Sequence, residues 1–225
     1  MIFAERLKKG DGLAFFSPSS PATAFAPKRF ARAKEFLTEK GFNLIEGNLT
    51  GKKDFYRSGT INERANELNE LIRNPDVRCI MSTIGGYNSN SLLPYIDYKA
   101  LINDPKIIIG YSDMTAILLG IFAKTGLVTY YGPALVASFG ELPPFRDLTY
   151  DYFSDLLINP KPTPFAFATP EFWTDDYIPW EEQTEPKCKN ANKLITINTG
   201  KAIGRLIGGN LNTMQGIWGA PTCQK

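Results

Sequence analysis

Short apolar runs alternate with helical patterns along the first 145 residues, and this alternation constrains the fold more than any other feature of the chain. The helical patterns place apolar residues on one face over 27–41, 60–76 and 112–126, with a short helix over 88–97. The apolar runs, which read as buried strands with their loops, cover 12–20, 42–47, 77–86, 106–110 and 128–133. Strands that alternate with helices predict a parallel sheet covered on both faces.

We therefore predict an α/β fold, a doubly wound and mostly parallel sheet of the Rossmann or flavodoxin-like type, over residues 1–145. Thr60 and Glu63 form a capping-box pattern at the start of one helix, and Gly41 and Gly126 follow the ends of two others. These local signals agree with the period of the apolar residues.

The amino-acid composition changes from Pro143 onward, where proline and aromatic residues become frequent. Residues 146–193 are predicted to form an irregular connecting segment with one helix at about 147–158. Residues 194–225 are predicted to begin a second domain that is left incomplete, with a strand or two, a Gly-Gly turn and a helix from near Asn210.

Charge and hydropathy exclude several classes of function. The 25 basic and 23 acidic residues give a net charge of +2 without a basic block, so no nucleic-acid partner is expected and a small molecule is favoured. The amino terminus does not fit a secretory signal, and the longest uncharged apolar run, 116–123, is too short to cross a bilayer. We expect a cytoplasmic protein without membrane contact.

The absence of histidine from all 225 residues limits the chemistry most strongly. It removes the commonest general base and the commonest metal ligand. Cys79, Cys188 and Cys223 are widely spaced and form no CxxC pair, which favours reduced thiols over a disulfide framework or a zinc site. We expect neither a metal nor a cofactor.

Ligands of open parallel sheets collect at the carboxyl ends of the strands, where three loops of this chain are candidates: 17–20, 85–88 and 111–113. Ser112 follows a strand and opens a helix. Gly110 and Ser112 match the first half of the nucleophile-elbow pattern G-x-S-x-G, but the second glycine is missing. From the pattern alone, Ser112 is a nucleophile or, more commonly for such a pattern, either Ser112 or Asp113 only caps the helix.

Three pairs of residues carry a similar ambiguity. Gly85 and Gly86 allow the backbone to approach a ligand and to point amides at an oxyanion, or they form an ordinary tight turn. They do not match the dinucleotide fingerprint, and the second double glycine, 208–209, leaves the same alternatives open. Trp173 and Trp180 lie in the irregular segment, where core packing and stacking on a flat ligand are both consistent with their chemistry.

Five motifs in order over nearly the whole chain resemble one family. They are "SPSSP" (17–21), "STIGGYNSNSLLPYID" (82–97), "GYSDMTAILL" (110–119), "YYGPAL" (130–135) and "GRLIGGNLNTMQGIWG" (204–219). The resemblance is to the serine peptidases that include the LD-carboxypeptidases of murein recycling and the microcin C immunity proteins. The Asn-Ser-Asn-Ser sequence after the glycine turn, and the aromatic connecting segment, resemble the immunity branch more closely.

The resemblance implies a role for each candidate residue. Ser112 is the nucleophile, and the backbone amides of Gly86 and Asp113 form the oxyanion hole. It also implies substrate contacts from Gly85, Asn88, Trp180 and Trp173. In the microcin-immunity branch a tryptophan of this region stacks on the nucleotide, and Trp180 matches it best, with Trp173 second. The implied substrate is a peptide or aminoacyl-nucleotide, and the alternative is a murein tetrapeptide cleaved between an L- and a D-centre.

One departure from the family matters for activity. The family completes a Ser-His-Glu triad with residues downstream of the "GGNLNT" motif, where this sequence has only "QGIWGAPTCQK". We expect a truncated chain with little or no hydrolytic activity, because the Ser112 hydroxyl has no base to activate it. A non-catalytic binding protein remains an alternative. Ile217 and Trp218 would need cover, and self-association as a homodimer is expected to provide it.

Overall fold

The computed structural model describes residues 1–160 and 166–220 and contains a five-stranded parallel sheet. The strands lie in the order β2-β1-β3-β4-β5, and every neighbouring pair is parallel. Their bounds are β1 Gly12–Phe16, β2 Asn43–Glu46, β3 Val77–Ser82, β4 Ile107–Gly110 and β5 Tyr130–Tyr131. The predicted α/β fold with a mostly parallel sheet is confirmed.

Strands β1 and β4 consist of apolar residues and glycine because both faces of the sheet are covered. Leu13 and Phe15 of β1 point into one core cluster, while Ala14 and Phe16 point into the other. The same alternation holds along β4, where Ile107 and Ile109 join the first cluster and Ile108 joins the second. Two layers of helices therefore bury the sheet.

The helices agree with the sequence patterns, with two additions. The bounds are α1 Ala22–Phe25, α2 Pro27–Glu39, α3 Ile61–Arg73, α4 Tyr98–Asn103, α5 Thr115–Thr125, α6 Phe145–Leu157 and α7 Leu211–Ile217. The sequence patterns did not predict α1 or α4, because helices of four and six residues are too short to show a period. Thr60 and Glu63 form the predicted capping box of α3.

Two helical turns of other types lie near the carboxyl ends of the strands. The segment predicted as a short helix is a 3₁₀ helix over Ser89–Tyr95, and Pro94 lies inside it. A π-helical turn over Leu135–Phe139 contributes Leu135 and Val136 to the first core cluster. Among the described residues, no helix is long and apolar enough to cross a membrane.

The connecting segment is attached to the α/β core by a buried polar network. Arg29 of α2 donates hydrogen bonds to the backbone oxygens of Val136 and Ala137, to Gln183 Oε1 (2.8 Å) and to Glu141 Oε2 (2.8 Å). Farther along the segment, Phe172–Trp173 and Asn190–Ala191 pair as a two-stranded antiparallel ribbon, β6 and β7. Part of the predicted irregular segment, 161–165, lies outside the described residues.

The carboxyl-terminal segment differs from prediction because its described residues contain no strand and because Ile217 is covered by the chain itself. Helix α7 begins after Asn210 as expected, but no strand forms between residues 192 and 209. Leu194, Ile195 and Ile197 are exposed there. They have no neighbouring strand to pair with, and an isolated strand is not stable in water. Ile217 is buried within the chain, whereas Trp218 is exposed, and Cys223 lies outside the described residues.

Candidate active site

Ser112 has a strained backbone and a free hydroxyl. It follows β4 and opens a short 3₁₀ turn, Ser112–Met114, that leads into α5. Its φ of 59° lies in the left-handed region, which costs a non-glycine residue about 1–2 kcal/mol. Its Oγ caps neither the turn nor α5 and has no hydrogen-bond partner among the described residues. The interpretation of Ser112 as a helix cap is therefore wrong.

Asp113 uses its carboxylate to hold the glycine turn. Oδ2 accepts hydrogen bonds from the backbone N–H groups of Asn88 (3.1 Å) and Ser89 (2.9 Å). The Ser89 hydroxyl donates back to the backbone oxygen of Asp113 at 2.6 Å. Asp113 thus ties the start of the 3₁₀ helix Ser89–Tyr95 to the turn that carries Ser112.

Neither glycine of the Gly85-Gly86 turn has room for a side chain. A Cβ on Gly85 would lie 2.8 Å from Ser112 Cβ and 3.0 Å from Ser112 Oγ. A Cβ on Gly86 would lie 2.2 Å from Ser19 Oγ, and Gly86 also has a φ of 151°. The turn therefore brings its backbone directly against Ser112, which an ordinary surface turn does not require.

Two backbone donors beside Ser112 are free. The N–H groups of Gly86 and Asp113 have no acceptor among the described residues. Both residues line one cavity with Ser112, and N–H groups without an acceptor beside a serine hydroxyl have the geometry that can stabilise an oxyanion.

Ser19 and Arg64 support the glycine turn from behind. Ser19 Oγ accepts from the N–H groups of Tyr87 (2.9 Å) and Asn88 (3.1 Å) and donates to Asn88 Oδ1 (2.9 Å). Arg64 of α3 is buried and donates to the backbone oxygens of Pro18 (2.5 Å) and Gly59 (3.0 Å) and to Asn88 Oδ1 (2.8 Å). The Asn88 side chain is thus occupied in this support and does not line the cavity.

The cavity above Ser112 has a volume of about 300 Å³. Gly86 lines it, whereas the second double-glycine motif acts indirectly by placing α7 against α5. A Cβ on Gly209 would lie 2.4 Å from Thr115 Cγ2, and the Asn210 N–H donates to Thr115 Oγ1 at 3.0 Å. This contact brings α7 onto the first turn of α5. The cavity is lined by Gly86, Tyr87, Asn90, Ser112, Asp113, Asn210, Asn212, Thr213, Gly216 and Ile217.

Sequence reasoning missed several of the lining residues, notably Asn90, Asn212 and Thr213. Asn212 and Thr213 lie within the first turn of α7, which the second glycine pair places near Ser112. The only signal in the sequence was that pair of glycines, because side chains contributed from distant segments carry no local pattern.

The two tryptophans of the connecting segment do not line this cavity. Trp180 is half-buried, stacks on Phe25 with ring centroids 6.1 Å apart, and lies 4.7 Å from the Arg29 guanidinium. Trp173 lies in β6 with 47% of its surface exposed. Trp180 is therefore packed against α1 and α2, and Trp173 is close to solvent.

The position of the site follows from the strand order. Strand β2 lies on one side of β1, whereas β3, β4 and β5 lie on the other side. The connections that follow β1 and β3 therefore run in opposite directions, and a crevice forms between the carboxyl ends of these two strands. Ligands of open parallel sheets bind at this switch point. The loops after β1 and β3 meet there, and the loop after β4, with Ser112, lies beside them. The fold and the strained serine define an α/β protein with an elbow-type serine site.

Comparison with known proteins names the family. Residues 13–132 match the model of the LD-carboxypeptidase N-terminal domain, peptidase family S66, and the chain belongs to this family. A putative carboxypeptidase of Vibrio cholerae is 63% identical over 98% of this chain and 66% of its own length. The microcin C7 self-immunity protein MccF of Escherichia coli is 57% identical over 97% of this chain and 64% of its own length.

Solved structures agree with these relatives. Wild-type MccF without ligand superposes on this chain with a TM-score of 0.94 at 54% identity. The superposition covers 100% of this chain and 68% of the MccF chain. MccF in complex with aspartyl sulfamoyl adenosine gives a TM-score of 0.94 at 55% identity. The resemblance to the microcin-immunity branch is confirmed, and this chain spans about two thirds of the length of these relatives.

Proposed function

We propose that this chain is the nucleophile-bearing part of a serine carboxypeptidase-like hydrolase of the microcin C immunity type. Its substrate would be an aminoacyl- or peptidyl-nucleotide. The observation that carries the proposal is the geometry of Ser112, which sits on a left-handed turn beside the N–H groups of Gly86 and Asp113. Within the described part of the chain, neither the Ser112 hydroxyl nor these two N–H groups have a hydrogen-bond partner.

The chemistry assigned to these groups is acyl transfer. Ser112 Oγ attacks the carbonyl carbon, and the N–H groups of Gly86 and Asp113 hold the oxygen that becomes negative. As this intermediate collapses, the C–N bond breaks, the leaving nitrogen takes up the proton that the base removed from Ser112, and an acyl ester remains on Ser112. Water then releases the acid. Both the attack on the substrate and the attack of water need a base to take a proton.

No residue in this sequence supplies the histidine of the family triad, because the 225 residues contain none. The carboxylate that follows Ser112 in sequence, Asp113, accepts with Oδ2 from the N–H groups of Asn88 and Ser89. We therefore expect these 225 residues to bind the substrate and to turn it over very slowly or not at all.

The relatives favour a nucleotide-linked substrate. MccF has been solved with aspartyl sulfamoyl adenosine and with glutamyl sulfamoyl guanosine. Relatives named murein peptide carboxypeptidases are more distant, at 31% identity for the probable enzyme of Bacillus subtilis. The cavity is lined by asparagine amides and by threonine and serine hydroxyls, and Asp113 is the one charged residue in the lining that the structure describes. Such a lining suits a polar ligand.

Trp180 is assigned to the nucleotide base. This assignment rests on the family resemblance, because in this structure Phe25 and Arg29 both lie against the indole ring. Trp173, exposed in β6, offers a matched aromatic control on the same segment.

Calorimetric titration with aspartyl sulfamoyl adenosine, alongside a murein tetrapeptide, tests this function. We expect the nucleotide analogue to bind, Ser112→Ala to keep most of that affinity, and Trp180→Ala to weaken it by about tenfold, since stacking contributes about 1–3 kcal/mol. Trp173→Ala should bind like the wild type. Preference for the tetrapeptide would contradict the substrate assignment.

A fluorophosphonate probe tests the expected inactivity. Without a base, Ser112 should label very slowly in these 225 residues, and addition of the longer sequence of a relative to the carboxyl end should restore labelling at Ser112. Rapid labelling of Ser112 in the 225-residue chain would show that a base is present, and would contradict the proposed lack of turnover.

A further inference from the structure

The hydroxyl group of Thr115 joins the carboxyl-terminal segment to the backbone of Ser112. Thr115 is the first residue of α5 and is fully buried. Its Oγ1 donates a hydrogen bond to the backbone oxygen of Ser112 at 2.6 Å and accepts one from the backbone N–H of Asn210 at 3.0 Å. Asn210 lies 95 residues farther along the chain, so this hydroxyl connects two segments that no local pattern links.

The two hydrogen bonds of Thr115 support each other. A hydroxyl has one proton to donate and two lone pairs that accept, so the bond to Ser112 and the bond from Asn210 do not compete. In a chain of hydrogen bonds, each bond polarises the next. A threonine bonded only to the backbone oxygen three residues earlier would be an ordinary local contact. The bond from Asn210 goes beyond what such a local contact requires.

The methyl group of Thr115 packs against the second glycine pair. A Cβ on Gly209 would lie 2.4 Å from Cγ2 and 2.8 Å from Oγ1 of Thr115, and Gly209 has a φ of 158°. Gly208 differs, because a Cβ there would have no atom within 4 Å. Of these two glycines, only Gly209 is pressed against Thr115.

Side chains hold both backbone polar groups of Ser112. Its N–H donates to Tyr131 Oη at 3.2 Å, and its oxygen accepts from Thr115 through both the hydroxyl and the backbone N–H. A left-handed residue other than glycine persists where the surrounding structure enforces that conformation. Tyr131 and Thr115 supply such contacts, and the contact of Thr115 is shared with the carboxyl-terminal segment.

The helix that forms one wall of the cavity starts at the residue that Thr115 holds. The side chain of Asn210 accepts a hydrogen bond from the Thr213 N–H at 3.0 Å and so caps α7. Asn212 and Thr213 of α7 line the cavity. Seating of Asn210 on Thr115 therefore places this wall beside Ser112.

We propose that Thr115 is a positioning residue, through which the seating of residues 208–210 holds Ser112 in its left-handed conformation. One buried hydroxyl thus sets the cavity wall and the serine together. The effect on ligand binding rests on the proposed function, whereas the coupling between Thr115 and Ser112 does not.

The preference for glycine at position 112 tests the coupling on the ligand-free chain. Ser112→Gly and Ser112→Ala are each made in Thr115→Ser, which keeps the hydroxyl, and in Thr115→Val, which keeps the shape of the side chain without it. A general loss of stability lowers both members of a pair equally, so the difference between their free energies of unfolding reports the conformation at position 112. We expect glycine to be favoured in the wild-type background and in Thr115→Ser, and the preference to vanish in Thr115→Val. An undiminished preference in Thr115→Val, or none in the wild-type background, would overturn the inference.

A second measurement decides the coupling if Thr115→Val does not fold. The NMR resonances of Ser112 Cα and Cβ report the backbone conformation of this residue. They should move away from left-handed values in Gly209→Ala, because the added methyl group pushes the segment off Thr115. They should keep their wild-type positions in Gly208→Ala, where the added methyl group meets no atom. Unchanged resonances in Gly209→Ala, or equal shifts in the two variants, would contradict the coupling.

The consequence for binding is measured separately with aspartyl sulfamoyl adenosine. The Kd should rise several-fold in Thr115→Val and in Gly209→Ala and stay close to the wild-type value in Gly208→Ala. If the analogue does not bind the wild type, the proposed function fails and the glycine preference at position 112 still decides the coupling. If it binds Thr115→Val as tightly as the wild type, Thr115 does not position the cavity wall.

Discussion

At the scale of single residues, the site is built from backbone positions that side chains rarely tolerate. Ser112 adopts a positive φ, and Gly85 and Gly86 are pressed against Ser112 and Ser19. Each of these positions restricts the residue type or costs stability. Together they place a hydroxyl beside two N–H groups that have no acceptor among the described residues. Strain of this kind is retained where the surrounding structure enforces it and function uses it.

Substitution of Ser112 measures that strain. Ser112→Gly should be more stable than Ser112→Ala by about 1 kcal/mol, because glycine accepts a positive φ without penalty. Ser154 lies inside the right-handed helix α6, where the order should reverse and Ser154→Gly should be less stable than Ser154→Ala by about 1 kcal/mol. Free energies of unfolding from denaturant titrations give both comparisons. The same order at both positions would show that Ser112 is unstrained.

At the scale of elements, α3 is the support of the site. One helical turn presents Arg64 and Glu67, both buried, to the loops after β1, β2 and β3. The capping box at Thr60 fixes where the helix starts, and thus which residues face these loops. The sequence pattern located α3 correctly but did not single out Arg64 and Glu67, because charged side chains are rarely buried and periodicity does not mark the exceptions.

Replacement of Arg64 by methionine tests this support. Arg64→Met should lower the free energy of unfolding by about 3 kcal/mol, because the backbone oxygens of Pro18 and Gly59 lose their buried donors. Arg73→Met on the same helix removes an exposed ion pair with Asp97 and should cost less than about 1 kcal/mol. Equal losses in the two variants, measured by denaturant titration, would show that burial of Arg64 does not matter.

At the scale of the whole molecule, one buried network attaches the connecting segment to the α/β core. Glu141 pairs with Arg29, accepts a short hydrogen bond from Gln183 Nε2, and lies 3.3 Å from Lys187. Burial alone would raise the pKa of Glu141, but hydrogen bonds from the Leu142 N–H, Arg29 and Gln183 lower it to about 2. The network also orients Arg29 beneath Trp180.

Glu141→Gln should destabilise the protein by about 3 kcal/mol at neutral pH, because Arg29 keeps a buried charge without its partner. The folded pKa of Glu141 is depressed, so its contribution is present above pH 4.5 and is lost as the pH falls through about 2. The difference between variant and wild type should therefore shrink toward pH 2. Free energies of unfolding measured over this pH range check the trend. As a control, Glu46→Gln breaks the exposed ion pair with Lys34 and should cost less than about 1 kcal/mol at every pH in the range.

Much of the architecture follows from local sequence, and the exceptions have physical causes. The five strands, the long helices and the capping box are visible in apolar period and turn chemistry, which act over a few residues. The strand expected after Leu194 does not form, because a strand needs a partner edge that sequence period does not reveal. Ile217 was expected to need cover and is buried by the chain itself.

The sequence by itself determined the fold class, the family and the identity of Ser112, Gly85 and Gly86 as special positions. It also determined that no histidine is present to activate the serine. Only the tertiary structure decided that Ser112 is strained and uncapped, that Asn88 supports the turn, and that Asn212 and Thr213 reach the cavity from α7. The reason is that local period and turn propensity are encoded within short segments, whereas burial, free hydrogen-bond donors and shifted pKa values arise when distant segments meet.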